Sequence, residues 1–357
     1  MSDSKYVTSN IHNYTIHFEN SLSFLYPLLS QQDVIFIIDS KVFYLYPDFF
    51  KSEQRKNLIL VEAIEENKTL KVCEKIFDKI ISLQPTKKTN IISIGGGIVQ
   101  DISGFVASTF YRGLNWIYVP TTLLAQADSC MGSKTSLNYK SYKNILGTFF
   151  PPHIIHIATT FINTLQEEDF YSGIGEIAKL HIMGGTNTFD LLVNNLTGIY
   201  HKDIITLLSL TKSSLNIKWT YMEGDEFDHG KRNMLNYGHE FGHAIETSTH
   251  YKIPHGQAIV IGMIMANKVA LDKKYISDTL NNKLNTLLFK VLKSDYRQLK
   301  KIDNKTIITA IKQDKKRIGN NLPLILLNEQ FEFFKITDMT EDEAWDVLDF
   351  FKNIYCK

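Results

Sequence analysis

Over roughly the first 150 residues, short apolar runs alternate with amphipathic stretches. Residues 33–38 (DVIFII) form an apolar run ending at Asp39-Ser40, and 57–61 form a second; both predict strands. Across 70–83, Val72, Ile76, Ile80 and Ile81 fall at helical spacing. Residues 90–94 (NIISI) predict a strand running into Gly95-Gly96-Gly97, 98–110 a helix, and 116–119 a strand closed by Pro120. This alternation predicts an α/β fold with a mostly parallel, doubly wound sheet, whose ligands sit outside the carboxyl ends of the strands. After about residue 160 the period becomes helical, at 168–183, 202–222, 239–247, 258–271, 306–313 and 341–353. Pro151-Pro152 is the local breaker. The expected domains are therefore 1–160, α/β, and 161–357, mainly helical, with the site in the cleft between them. The Lys-rich segment 281–305 reads as a solvated helix-loop face.

Composition narrows the classes. The chain has 357 residues, a formal net charge of +1, 44% hydrophobic and 22% charged residues. This balance argues against disorder and gives no electrostatic case for nucleic acid. Cys73, Cys130 and Cys356 lack the spacing of a disulfide framework or a zinc knuckle, which points to a reducing compartment. The beginning lacks a signal-peptide core, and no apolar run is long enough to span a bilayer. The expectation is a soluble cytoplasmic protein with no membrane partner.

The densest chemistry lies in 232–256. His239 and His243 are four apart and share a helix face, and His255 follows at Pro-His-Gly. Imidazoles so placed commonly hold zinc. The segment 239–243 also matches the metalloprotease pattern H-E-x-x-H, with Glu240 as the would-be base.

Other motifs are weaker alone. Gly95-Gly96-Gly97 between a strand and a helix lets backbone N–H groups approach a phosphate, although a tight turn without a ligand needs the same glycines. Gln100 stands where a dinucleotide fingerprint has its third glycine. Thr121 and Thr122 suit helix capping as well as ligand binding. Residues 128–135 (DSCMGSKT), then Lys143-Asn144, bring lysines beside a glycine, which suits a phosphate or carboxylate. A P-loop is excluded, because Ser133 and Asp128 occupy its glycine positions. Glu176 and Lys179 are three apart on one predicted helix; a surface ion pair is the default, but the Ile/Ala setting makes a buried role more plausible. Lys218, Arg232 and Asn236, with Lys134, Lys143 and Lys179, could form a basic pocket for a doubly anionic small molecule.

Taken together, GGGIVQDISGF, YRG, VPTTLLAQADS, GSKT, KN, SGIGEIAK, RNMLNYGHEFGHAIE, HGQAIVIGM and DKK strongly resemble the 3-dehydroquinate synthases and their sugar-phosphate cyclase relatives, in order and spacing over about residues 39–327. The resemblance implies an N-terminal NAD-binding α/β domain and a C-terminal helical domain that carries a metal and the substrate. NAD would contact Asp39, Glu65, Lys68, Gly95, Gly96, Gly97, Asp101, Thr121, Thr122 and Lys143, with Phe161 and Thr164 nearby. A divalent ion, zinc before cobalt, would be held by Glu176, His239 and His255, leaving an open position. The catalytic set would be Asp128, Lys134, Asn144, Lys179 and His243. Arg112, Lys218, Arg232, Asn236 and Lys315 or Lys316 would bind substrate. Arg112 would reach a neighbouring subunit's site and imply a homodimer. In this frame His243 meets substrate and Glu240 is incidental.

The implied reaction cyclises a seven-carbon keto-acid phosphate. Transient oxidation at C5 by NAD acidifies the neighbouring C–H, phosphate leaves, hydride returns, and an aldol step closes the ring. Gln100 and Ser133 stand where the family pattern has glycine, and Lys41 where it has asparagine. These departures concern the substrate: 3-deoxy-D-arabino-heptulosonate 7-phosphate is expected from Lys218, Arg232 and Asn236. The alternative is a paralogue acting on sedoheptulose 7-phosphate or a similar sugar phosphate.

Overall fold

The computed structural model describes residues 3–50, 57–140, 142–313 and 322–356. The chain divides into two compact units, Met1–Leu165 and Gln166–Lys357.

The first unit is built on a seven-stranded sheet. In chain order its strands are β1 (Asp3–Val7), β2 (Tyr14–Phe18), β3 (Val34–Asp39), β4 (Leu58–Val61), β5 (Asn90–Gly95) and β6 (Trp116–Pro120). A hairpin of β7 (Leu137–Tyr139) and β8 (Tyr142–Leu146) stands apart, and β9 (Ile154–Ile157) returns to the sheet. The spatial order is β1-β2-β9-β6-β5-β3-β4, parallel except for β1 against β2. The helices are α1 (Leu25–Leu29), α2 (Ser40–Leu45), α3 (Leu70–Ser82) and α4 (Gly97–Thr109).

Nearly continuous burial of β3, β5 and β6 means that both sheet faces are covered. On one face Val34, Phe36, Ile38, Ile92 and Ile94 pack with Leu25 of α1 and Val42 of α2. On the other, Ser93 Oγ donates to Ser103 Oγ of α4 over 3.0 Å. The chain runs outward from β3 to β4 and then returns to place β5 on the other side of β3, so the winding reverses between β3 and β5. Asp39 and Gly95 end those strands, at the switch point where such sheets bind ligands. The expected strands and helices of this unit form within one or two residues of their predicted bounds. The two hairpins, β1–β2 and β7–β8, were not anticipated.

The second unit is helical: α5 (Glu167–Met183), α6 (Thr186–Asn194), α7 (Leu196–Tyr200), α8 (Ile204–Met222), α9 (His239–Ser248), α10 (His255–Asp272), α11 (Asp278–Val291), α12 (Asn304–Gln313) and α13 (Glu341–Tyr355). A hairpin of β10 (Leu322–Leu327) and β11 (Phe333–Met339) completes it. Helix α10 is apolar nearly all round and buried along its length, as a central helix should be; α5, α9 and α11 pack on it. It starts three residues before the predicted 258, because Pro254 serves as its N-cap and its carbonyl accepts from Gln257 N and Ala258 N. The segment 281–305 corrects the solvated-face expectation. Ser277 caps α11, whose Leu280, Leu284, Leu287, Leu288 and Val291 are buried, and Leu299 is buried beyond it. The lysines occupy only the outer side.

Candidate active site

Four glycines set the geometry of the second unit. A Cβ on Gly256 would lie 1.8 Å from Ser172 O, and one on Gly175 would lie 2.2 Å from Gly256 O. Helices α5 and α10 therefore meet backbone to backbone, and Gly256 N donates to Ser172 Oγ at 3.0 Å. On the other side of α10, a Cβ on Gly262 would lie 1.9 Å from Gly238 O, and Gly238 is left-handed at φ 80°. The residues beside these glycines are Glu176, His239 and His255. Close helix crossing is thus what brings the three together.

Glu176 is fully buried, and neither carboxylate oxygen has a partner in hydrogen-bond geometry. His255 Nε2 lies 3.3 Å and His239 Nε2 3.7 Å from its Oε1, and Lys179 Nζ lies 2.5 Å from Oε2. His255 Nδ1 pairs with Glu246 Oε2 at 3.0 Å, and His239 Nδ1 is 3.3 Å from Tyr237 O. Both rings are thus oriented through Nδ1 with Nε2 turned to the carboxylate, the arrangement that supports metal-bound imidazoles. Burial pushes the Glu176 carboxyl up, but Lys179 and the two histidines outweigh it and hold it well below its ordinary value. Burial, then Lys179, keeps His239 neutral. Burial pulls His255 down, yet Glu246 and Glu176 raise it to about 10.

One nitrogen from each of His239, His243 and His255 also lies within 4.8 Å of the others. Two ligand sets therefore share His239 and His255, and differ in Glu176 or His243. We favour Glu176, because its fully buried carboxylate keeps Oε1 turned to Nε2 of both rings while Lys179 pairs with Oε2, and a buried charge is stabilised by a cation at that position. These residues fit a divalent cation with one carboxylate and two imidazole donors. The surface ion pair weighed for Glu176 and Lys179 is corrected: both side chains are buried. The carboxylate that faces His239 and His255 comes from α5, which leaves Glu240 of the H-E-x-x-H match outside that pairing.

In the same unit, Lys218 on α8 and Arg232 are buried. Asp225 accepts from the backbone N–H groups of His229, Gly230 and Arg232, each at 2.8 Å, and so shapes the loop that carries Arg232. The Arg232 guanidinium donates to Glu226 O, and Asn236 Nδ2 donates to Asn233 O at 2.7 Å. Lys315 and Lys316 lie outside the described residues.

In the first unit, the dinucleotide candidates follow the carboxyl ends of successive strands: Asp39 after β3, Glu65 and Lys68 after β4, Gly95–Gly97 after β5, Thr121 and Thr122 after β6. Several converge on the β7–β8 hairpin. Lys68 Nζ donates to Asp101 Oδ2 at 2.9 Å and to Asn144 Oδ1 at 2.5 Å. Ser136 donates to Asp101 through both N, at 2.9 Å, and Oγ, at 2.8 Å. Glu65 Oε1 accepts from Asn138 Nδ2 at 2.9 Å and faces Lys143 Nζ at 3.5 Å. Burial raises the Asp101 carboxyl despite Lys68.

The other candidates are more dispersed. Asp39 caps α2 by accepting from Lys41 N, and Thr122 Oγ1 accepts from Ala125 N. Packing explains Gly95 and Gly96, where a Cβ would lie 2.7 Å from Val99 and 2.8 Å from Thr122 Cγ2; Gly97 has room and opens α4, with its unpaired backbone N–H groups. Thr164 bonds Tyr46 OH at 2.9 Å, beside the buried Phe161. Asp128 lies in the π-helical turn Ala125–Ser129, and Lys134 is exposed. Arg112 is exposed in a turn where Tyr111, Arg112 and Gly113 all have positive φ.

Ser136, Asn138, Asp225 and Glu246 were missed from sequence. Only Glu246 carried a signal: it lies three residues beyond His243, on the same helix as His239.

Comparison with known proteins places the chain in a family. The 3-dehydroquinate synthase N-terminal family matches residues 58–172, and the 3-dehydroquinate synthase C-terminal family matches 173–317. The 3-dehydroquinate synthase of Clostridium tetani is 34% identical over 331 residues, covering 91% of this chain and 86% of its own. That of Dictyoglomus thermophilum is 36% identical over 299 residues, covering 82% of each. A crystal structure of 2-deoxy-scyllo-inosose synthase, complexed with carbaglucose-6-phosphate, NAD+ and Co2+, superposes with a TM-score of 0.86 at 24% identity, over 97% of this chain and 99% of that one. ValA, a 2-epi-5-epi-valiolone synthase from Streptomyces hygroscopicus subsp. jinggangensis 5008 with NAD+ and Zn2+ bound, gives 0.82 at 20%, over 94% and 95%. The solved structures share the α/β-plus-helical fold, and with the sequence matches they settle the assignment: this chain belongs to the 3-dehydroquinate synthase family.

Proposed function

We propose that this chain is a 3-dehydroquinate synthase, a phosphate-eliminating lyase that cyclises 3-deoxy-D-arabino-heptulosonate 7-phosphate with NAD and a divalent metal. The observation that carries the reading is the fully buried Glu176 carboxylate, paired with Lys179 through Oε2 and facing His239 Nε2 and His255 Nε2 through Oε1. Relatives at 34–36% identity named as 3-dehydroquinate synthases favour the acid substrate over that of the 2-deoxy-scyllo-inosose and 2-epi-5-epi-valiolone synthases, which are only 20–24% identical.

Glu176, His239 and His255 would hold the metal, and the first unit would hold NAD through the Asp39, 95–101 and Glu65–Lys68–Lys143 groups. When bound, the ion would supply Lewis-acid polarisation of substrate oxygens and NAD a recyclable hydride acceptor. The protein's own contribution is positional and electrostatic. Lys179 offers a buried cation next to the Glu176 carboxylate, suited with His243 to substrate phosphate; in the first unit, Lys134 and Asn144 are the proposed catalytic polar groups. Lys218 and Arg232 offer two buried cations to the carboxylate, with the planar guanidinium suited to bidentate pairing. Asp225 fixes the Arg232 backbone, and Glu246 fixes the His255 ring. Holding the reacting chain folded supplies the proximity that ring closure needs.

Zinc before cobalt is the proposed metal. A homodimer in which Arg112 reaches the neighbouring site, and a cytoplasmic location, complete the reading; no described helix is long and apolar enough to cross a membrane. The test is turnover of chelator-stripped protein reloaded with zinc and catalytic NAD. Phosphate release must exceed the NAD present, with no net NADH; stoichiometric NADH would instead mean a simple alcohol dehydrogenase.

A further inference from the structure

Gln100 reaches a partner that no glycine could. Its Nε2 donates to Ser129 O at 2.7 Å, and its Oε1 accepts from Ser129 Oγ at 2.7 Å. Gln100 is buried in the first turns of α4, directly after the glycine turn. Ser129 ends the π-helical turn that carries Asp128. The same turn is tied at its start, where Thr122 Oγ1 accepts from Ala125 N at 3.2 Å. It is tied again at Gln126, whose Nε2 donates to Pro120 O at 3.0 Å and Ala158 O at 2.9 Å.

We infer that Gln100 is a positioning residue for Asp128, clamping the Asp128 turn to the glycine turn so that cofactor and substrate contacts are held in one register. The two bonds hold the carbonyl and the hydroxyl of Ser129 to one side chain of α4, which restrains the adjoining Asp128 backbone. A paired amide–hydroxyl contact of this length, largely removed from water, restrains a π-helical turn that otherwise closes its own hydrogen bonds less well than an α-helix.

The inference rests on the proposed function for its kinetic arm only. Gln100→Ala, a favourable residue within a helix, is compared with wild type in kcat and NAD affinity, and again in an Asp128→Asn background. The clamp predicts a fall in kcat of about 10- to 100-fold, little change in NAD affinity, and no further fall in the Asp128→Asn background. Equal losses in both backgrounds would overturn it, because a merely structural role does not act through Asp128. Amide hydrogen exchange of the 125–131 segment needs no turnover. Faster exchange in both Gln100→Ala and Ser129→Ala is expected, with the rest of the unit unchanged. Wild-type exchange in both variants would refute the clamp even if the wild-type protein proved inactive on the seven-carbon acid, a result that would sink only the proposed function.

Discussion

Replacing Gly256 by alanine tests whether helix crossing builds the metal centre. The new Cβ would begin 1.8 Å from Ser172 O and 2.7 Å from Ser172 C. To reach the 3.0 Å that real Cβ contacts respect, the start of α10 must retreat from α5 by about 1.2 Å. The obstacle is backbone on both sides, so no side chain can swing away. His255 immediately precedes Gly256 and moves with it, while Glu176 stays on α5. Metal–ligand distances tolerate only about 0.2 Å, so the displacement is several times what the site can absorb. Overpacking should also cost about 1–3 kcal/mol of stability. The expected outcome is zinc affinity weakened by at least about tenfold, measured by competition with a chromophoric chelator. The thermal midpoint of the metal-free protein should fall as well, and the gap between metal-free and zinc-loaded midpoints should shrink. Gly175→Ala should behave alike, since its Cβ meets Gly256 O at 2.2 Å. Wild-type zinc affinity in either variant would refute the reasoning.

Three further outcomes are expected. Glu246→Gln removes the carboxylate that orients His255 and should weaken zinc binding by about 10- to 100-fold in the same competition assay, with little effect on NAD affinity. Glu240→Gln should retain most phosphate-releasing activity, whereas a protease base at that position would make the variant inert. His181 is buried with Nδ1 donating to Ile177 O, and burial lowers it from 6.5 to about 4. Because its folded value lies below its unfolded one, the folded state binds fewer protons, so stability is full above pH 6.5 and declines as pH falls towards 4. That decline amounts to about 3 kcal/mol. Urea midpoints at several pH values should show it, and His181→Leu should flatten that part of the profile.

The sequence carried the site better than the fold around it. Strands β3, β5 and β6 were readable because burial on both faces makes them apolar runs, closed by Asp39-Ser40, Gly95 and Pro120 respectively. That Glu176, His239 and His255 come together was readable because their flanking pattern was specific and few residue types are candidate metal ligands. The hairpin β7–β8 was not, although Lys68, Asp101 and Asn144 meet on it. Its strands are short, polar and mostly exposed, so they leave no periodic trace. The same holds for 281–305, where the lysines dominate the composition while leucines at helical spacing fill the buried side. Gln100 was visible only as a departure from the family pattern; its partner Ser129 is 29 residues away, and only the fold joins them. The glycines beside the metal ligands could be listed from sequence, but the need for them comes from contacts between helices distant along the chain.

The most direct test of the central claim is phosphate release by purified protein with zinc and catalytic NAD, comparing 3-deoxy-D-arabino-heptulosonate 7-phosphate with sedoheptulose 7-phosphate. Release from the acid alone, without net NADH, is the predicted result. Release from the neutral sugar alone would contradict it, and would mean that Lys218 and Arg232 do not serve a substrate carboxylate.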